Sequence, residues 1–153
     1  MLTMSPAPVA LIDTLNSLLD AEQASMLRFM GEGYPYLNRA TVEVRRPLQE
    51  MVTTIDGRVG RLADQIERLG GVPNIGPRGI DREEQYLAFL SLKFLLPKLV
   101  EAKKLLIERY ENAVVSIKRD AETKSLVQSL REEHLAQLSA LQEAAVRIAS
   151  ARS

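Results

Sequence analysis

Six side chains carry the chemistry this chain could do: Glu22, Arg58, Lys98, Glu101, Arg131 and His134. Each interrupts an otherwise apolar helical stripe near its middle. Glu22 stands four residues after Leu18 and four before Met26. Arg58 adjoins the Ile55–Val59–Leu62 seam, and Lys98 and Glu101 are spaced from Phe94 and Leu105 as one face of a helix. Arg131 and His134 flank the Leu130–Leu138 stripe. Four helices that each offer polar groups at mid-height predict one shared buried cluster. Three chemistries fit such a cluster. Glu22 among three cations makes an ion-pair network, because a buried charge needs a partner. The three cations outnumber Glu22 and Glu101 by one, so a carboxylate, phosphate or chloride could also bind there. A weak single-metal site would use Glu22, Glu101 and His134.

Length and composition frame these options. A chain of 153 residues can bury a core without staples, and with no cysteine it has neither disulfides nor thiolate ligands. Twenty basic residues balance twenty acidic ones, so no excess charge selects nucleic acid or an anionic membrane. The opening, Met1 to Pro8, does not read as a signal peptide, and Tyr86 to Val100 is too short and too charged to span a membrane. The expectation is a soluble cytoplasmic helical protein.

Glycine and proline divide the chain into four helices within a single domain, 1–153. Ser5-Pro6 starts the first, which carries Leu11, Leu15, Leu18, Leu19, Met26 and Phe29 and runs over about 6–31 to Gly31 and Gly33. Tyr34-Pro35-Tyr36 makes a turn. The second, about 38–69, is capped by Asn38 and carries Leu48, Ile55, Val59, Leu62, Ile66 and Leu69. Pro47 kinks it or marks a late start. Gly70 to Ile80 is a loop that could extend ~35 Å, the length of a bundle. It predicts a long crossover that leaves helices two and three parallel. Asp81 and Glu84 form a capping box for helix three, about 82–117, and helix four follows over about 120–151. Arg45-Arg46 reads as a solvated face. Asp56-Gly57 and Gly60 are either a tolerated weak spot in helix two or small residues that let a second helix approach closely, as in a homodimer.

Three stretches carry a resemblance. Leu15-Asn-Ser-Leu-Leu-Asp-Ala-Glu22, Leu62-Ala-Asp-Gln-Ile-Glu-Arg-Leu-Gly-Gly-Val-Pro73 and Leu130-Arg-Glu-Glu-His134 with Leu138 are similar to the first, second and last helices of bacterioferritin- and rubrerythrin-like bundles. The resemblance covers nearly the whole chain. It implies an all-α, ferritin-like four-helix bundle with a long crossover between helices two and three. Such bundles build a di-iron centre from inward carboxylates and two Glu-x-x-His pairs.

The same resemblance implies that the centre is degenerate here. Glu22 falls on the first carboxylate and His134 on the last histidine. Ile55 and Arg58 occupy the helix-two Glu-x-x-His, Lys98 the helix-three carboxylate, and Arg131 the final Glu. Protonated Lys and Arg have no lone pair to donate. Asp56 takes the place of the haem-ligating methionine. Bacterioferritin cages carry a fifth helix that the nineteen residues after His134 do not supply, so a homodimer rather than a 24-subunit shell is expected. The resulting expectation is a non-catalytic structural or interaction protein without catalytic residues or cofactor, its protein partner unidentified. The alternatives are an iron-handling oxidoreductase of ferroxidase type with a divergent site, and a small-anion binder.

Overall fold

The computed structural model describes residues 7–25, 27, 42–76 and 91–150, which form four α-helices and no strand. They are α1 (Ala7–Gln23), α2 (Val42–Arg68), α3 (Leu92–Ser116) and α4 (Ala121–Ser150). Met26, Phe29, Tyr34, Tyr36, Asn38 and the Asp81–Glu84 box lie outside the described residues.

Apolar periodicity accounts for the helices, and local chemistry sets their ends. Asp120 accepts a hydrogen bond from the Thr123 backbone N–H at 2.9 Å, the N-cap of α4. At the other end of α2, Gly71 N–H reaches the Ile66 carbonyl at 2.9 Å and Gly70 N–H the Glu67 carbonyl at 3.0 Å. This closing pattern requires a left-handed residue, and Gly70 supplies it with φ +88°. Pro47 and Pro97 stand in the second turns of α2 and α3, which continue through them. The first helix is shorter than its periodicity suggests, ending at Gln23 instead of near residue 31. There the Ser25 N–H bonds the Glu22 carbonyl three residues back, and the Ser25 hydroxyl accepts from the Leu27 N–H at 3.3 Å. A serine that supplies its own backbone partners competes with helix continuation.

Two apolar clusters fill the bundle, one toward each end. Val44, Leu48, Met51 and Ile55 of α2 meet Leu92, Leu95, Leu96 and Leu99 of α3 and Leu141 and Ala144 of α4 at one end. At the other, Leu15, Leu18 and Leu19 of α1 pack with Leu62, Ile66, Tyr110, Ile117, Val127 and Leu130. The starts of α2 and α3 therefore share an end, while α1 and α4 run against α2. Residues 71–76 travel back along α1. The Asn16 side chain donates to the Val72 carbonyl at 3.2 Å and accepts from the Asn74 N–H at 2.7 Å; Gln23 donates to the Asn74 carbonyl at 2.8 Å. The remainder of the expected crossover, residues 77–90, lies outside the described residues.

Gly70→Ala should destabilise the fold by roughly 1–2 kcal/mol, the cost of a left-handed conformation for a residue with a Cβ. Urea denaturation should show a lower midpoint with an unchanged slope. An unchanged midpoint would remove this role from Gly70.

Candidate functional site

Between the two apolar clusters lies a layer of polar side chains contributed by all four helices. Glu22 is at its centre, fully buried on the last turn of α1. Its Oε1 accepts from Arg58 Nε at 2.9 Å, and its Oε2 accepts from the Tyr110 hydroxyl and from His134 Nε2, each at 2.5 Å. Arg58, among the largest fully buried side chains, also donates through NH1 to the Thr54 hydroxyl at 2.8 Å. Gln137 donates to the same Thr54 oxygen at 2.8 Å, while Thr54 passes its own proton to the Met51 carbonyl at 2.7 Å. Lys103 Nζ closes the circuit, donating to Gln137 Oε1 at 2.8 Å and lying 3.1 Å from His134 Nδ1. Lys103, His134, Glu22, Arg58, Thr54 and Gln137 thus form an unbroken ring, with Tyr110 joined at Glu22.

This geometry assigns protons. Glu22 is an acceptor on all three sides, so His134 presents Nε2–H to it and leaves Nδ1 bare for Lys103. Burial alone would raise the Glu22 pKa, but the His134 hydrogen bond and charge, the Arg58 charge and the Tyr110 hydroxyl outweigh it and hold the carboxyl at about 2. Burial pushes Lys103 down to about 7, Arg58 adds to that, and Glu22 offsets only part. His134 is lowered first by burial, with Lys103 and Arg58 in support, against the raising pull of Glu22. Burial and then the Glu22 charge raise Tyr110 well above its usual value. Near neutrality the Glu22 carboxylate is therefore ionised, with the His134 imidazole and the Tyr110 phenol neutral.

Three of the six residues singled out by sequence do not sit where the spacing puts them together. Lys98 is exposed on the outer face of α3. Glu101 is exposed there too, paired with Lys104 at 3.5 Å. Arg131 is about one-third exposed and pairs with Glu111 and Glu132 at 3.2 Å each. Glu22, Arg58 and His134 do meet. Sequence reasoning missed Lys103, Tyr110, Thr54 and Gln137. A usable signal existed for the first two: Leu96, Leu99, Lys103, Ile107, Tyr110 and Ala113 recur in steps of three and four, and all are buried. Phe94 and Leu105, which suggested the other face, are 59% and 64% exposed. Ile55 belongs to the apolar core and Asp56 is exposed. Glu133 flanks the layer, with Arg58 NH1 at 3.6 Å and Arg61 NH2 at 2.5 Å.

The donor set does not fit a di-iron centre. Both Glu22 oxygens are committed to protein donors, and the neighbouring Arg58 brings positive charge rather than a lone pair. Among the described residues no group of three or more His, Cys, Asp or Glu side chains could hold a metal ion. No buried polar side-chain atom among them lacks a hydrogen bond.

Four long helices around a central polar layer define a ferritin-like four-helix bundle. The chain is similar to a dodecameric thioferritin, the bacterioferritin-related protein of Bacteroides fragilis, at 20% identity and TM-score 0.73; the match covers 95% of this chain and 89% of that one. No family model matches the chain, and no curated protein matches it.

Glu22→Gln should cost on the order of 3–5 kcal/mol, because it strands the Arg58 charge in the interior. Adding Arg58→Met should recover part of the loss, whereas Lys98→Met should be additive with Glu22→Gln in a double-mutant cycle, as expected of a distant exposed site. Strong coupling to Lys98 instead would contradict the placement of that side chain.

Stability should also rise with pH through unusually alkaline conditions. Lys103 keeps a proton in the unfolded chain up to its ordinary 10.5 but releases it at about 7 in the folded one. The unfolded state therefore binds more protons across that window, adding up to about 1.4 kcal/mol of stability per pH unit. Glu22 acts in the same direction between about 2 and 4.5, and lowered His134 does so below 6.5. Tyr110 reverses the trend above its ordinary 10.0. Denaturation midpoints of the wild type should climb from pH 7 to 10, and Lys103→Met should flatten that climb; a flat wild-type profile would refute the buried amine.

Proposed function

We propose that this chain is a non-catalytic, soluble cytoplasmic bundle protein with a structural or protein-interaction role, in which an internal ring of side chains takes the place of a di-iron centre and no resident cofactor is held. The observation that carries the reading is the complete commitment of Glu22, whose two oxygens receive three protein donors. A carboxylate so engaged must surrender buried hydrogen bonds to reach a metal, and Arg58 would then be left without its counter-charge. Among the described residues no helix is long and apolar enough to cross a membrane, which is compatible with a soluble role.

Self-association is the second part of the proposal. Gly57 and Gly60 are exposed on α2, and a Cβ added at either would meet nothing within 4 Å. A second copy could therefore bring its backbone close to α2, and a homodimer is the smallest such assembly. The thioferritin neighbour is a dodecamer, which supports association of like chains.

Protein purified from an iron-supplemented culture should contain far less than one iron per chain and oxidise no ferrous iron beyond the buffer rate. Stoichiometric iron that alters the stability of the fold would overturn the reading in favour of an iron-handling protein. Sedimentation should give a closed oligomer that Gly57→Leu weakens; a monomer at all concentrations would remove the second part.

A further inference from the structure

The ring contains an arrangement that a purely structural ion pair does not need. Glu22 holds His134 by Nε2–H at 2.5 Å, and the opposite imidazole nitrogen faces the Lys103 amine at 3.1 Å. A carboxylate that orients an imidazole, whose free nitrogen contacts a nucleophile, is the geometry that activates side chains for covalent chemistry. Among the described residues the direct partners of the amine are neutral acceptors, His134 Nδ1 and Gln137 Oε1. Glu22 is reached through His134, and Arg58 lies on the far side of Glu22.

Access is available on one side. α1 and α3 touch only sparsely, and a cavity of about 280 Å³ opens in their seam. Ala21, Ala24 and Ala102 keep it open, Leu99 and Leu106 make its wall largely apolar beside Asp20 and Arg109, and Lys103 lines it. A pocket of that size admits a compound of a few heavy atoms, below the usual range for drug-sized ligands.

We propose that Lys103 is a nucleophilic amine that captures a small aldehyde entering through the α1–α3 seam, with His134, oriented by Glu22, taking up its proton. The nitrogen lone pair adds to the carbonyl carbon and the C=O π electrons move to oxygen. The first N–H proton passes to His134 Nδ1 and from there to the oxygen, giving the carbinolamine, and the second N–H proton follows the same route to its hydroxyl. That oxygen leaves as water as the C=N bond forms, so one water is lost and nothing is oxidised or reduced. During the transfer Glu22 stabilises the imidazolium. The depressed basicity of the buried amine supports the step, since its lone pair is free for much of the time near neutrality. The site goes beyond a scaffolding role: it binds one aldehyde per chain covalently and reversibly.

Six lysines compete for the reagent, and the other five are exposed or half-buried. The full chain should be treated with acetaldehyde and cyanoborohydride near pH 7, and the labelled lysines located by peptide mass spectrometry. Lys103 should be alkylated roughly tenfold or more faster than any other lysine, because burial leaves its lone pair free near neutrality. Pyridoxal phosphate, too bulky for the seam, should label only the others. In folded His134→Gln, checked by its circular dichroism, Lys103 should react several-fold more slowly while the exposed lysines keep their rates. Lys103 reacting no faster than the surface lysines in the wild type would overturn the proposal, as would equally fast labelling of Lys103 by pyridoxal phosphate. An unchanged Lys103 rate in His134→Gln would remove the proton acceptor and with it the mechanism.

Discussion

A carboxylate with no exposure to solvent must be satisfied by the protein, and in this bundle that carboxylate is Glu22. An ionised carboxylate taken out of water costs several kcal/mol unless charges and hydrogen bonds compensate it. Compensation arrives from three different helices: Arg58 on α2, Tyr110 on α3 and His134 on α4. Each partner is itself a buried polar group with needs of its own. Thr54 and Gln137 meet those of Arg58 and Lys103, and the circuit closes. Sliding any helix by one turn would break at least one of these links and strand a polar atom in the interior. The layer therefore specifies register in a way that the leucines on either side, which could slip against one another, do not.

The layer also explains why the core is divided. Apolar clusters lie on both sides of it, and Val59 packs against each of them. Ring-forming side chains replace apolar volume at mid-bundle. Arginine suits the replacement because its guanidinium serves Glu22 and Thr54 from one rigid fork and cannot shed its proton. Lysine at position 103 is a less settled member. It is buried and, within the ring, has no carboxylate as a direct partner, and burial first of all underlies both the alkaline stability profile and the chemistry proposed for it.

Three of the helices were legible in the sequence, and so was one member of the layer on each. In α1, α2 and α4 the apolar stripe is narrow, so a polar residue on it announces itself: Glu22, Arg58 and His134 were found that way. The third helix resisted because its first half is apolar on nearly every side, from Leu92 to Val100. Periodicity there has no preferred face, and a core drawn through Phe94 and Leu105 turns Lys98 and Glu101 inward. The second half of α3 has a clear polar side at Glu108, Arg109, Glu111 and Asn112, and extending its buried stripe backward reaches Lys103. Arg131 was misplaced for a different reason. Three residues before His134 it stands at the edge of the α4 stripe, where a long side chain can turn outward, and surface carboxylates of Glu111 and Glu132 draw it there. Thr54 and Gln137 gave no signal, since neutral polar residues near a helix seam are common and only a buried partner makes them part of a network.

The central claim is the state of one imidazole, and the chain helps by having a single histidine. Nitrogen-15 NMR of the ring reads protonation and tautomer directly, without competing signals. The structure predicts a neutral His134 at pH 7 with the proton on Nε2, and Nδ1 shifted as a hydrogen-bond acceptor. That state should persist in the folded protein below the ordinary imidazole pKa of 6.5. An imidazolium at neutral pH, a proton on Nδ1, or a ring signal that responds to added ferrous iron would contradict the ring as described.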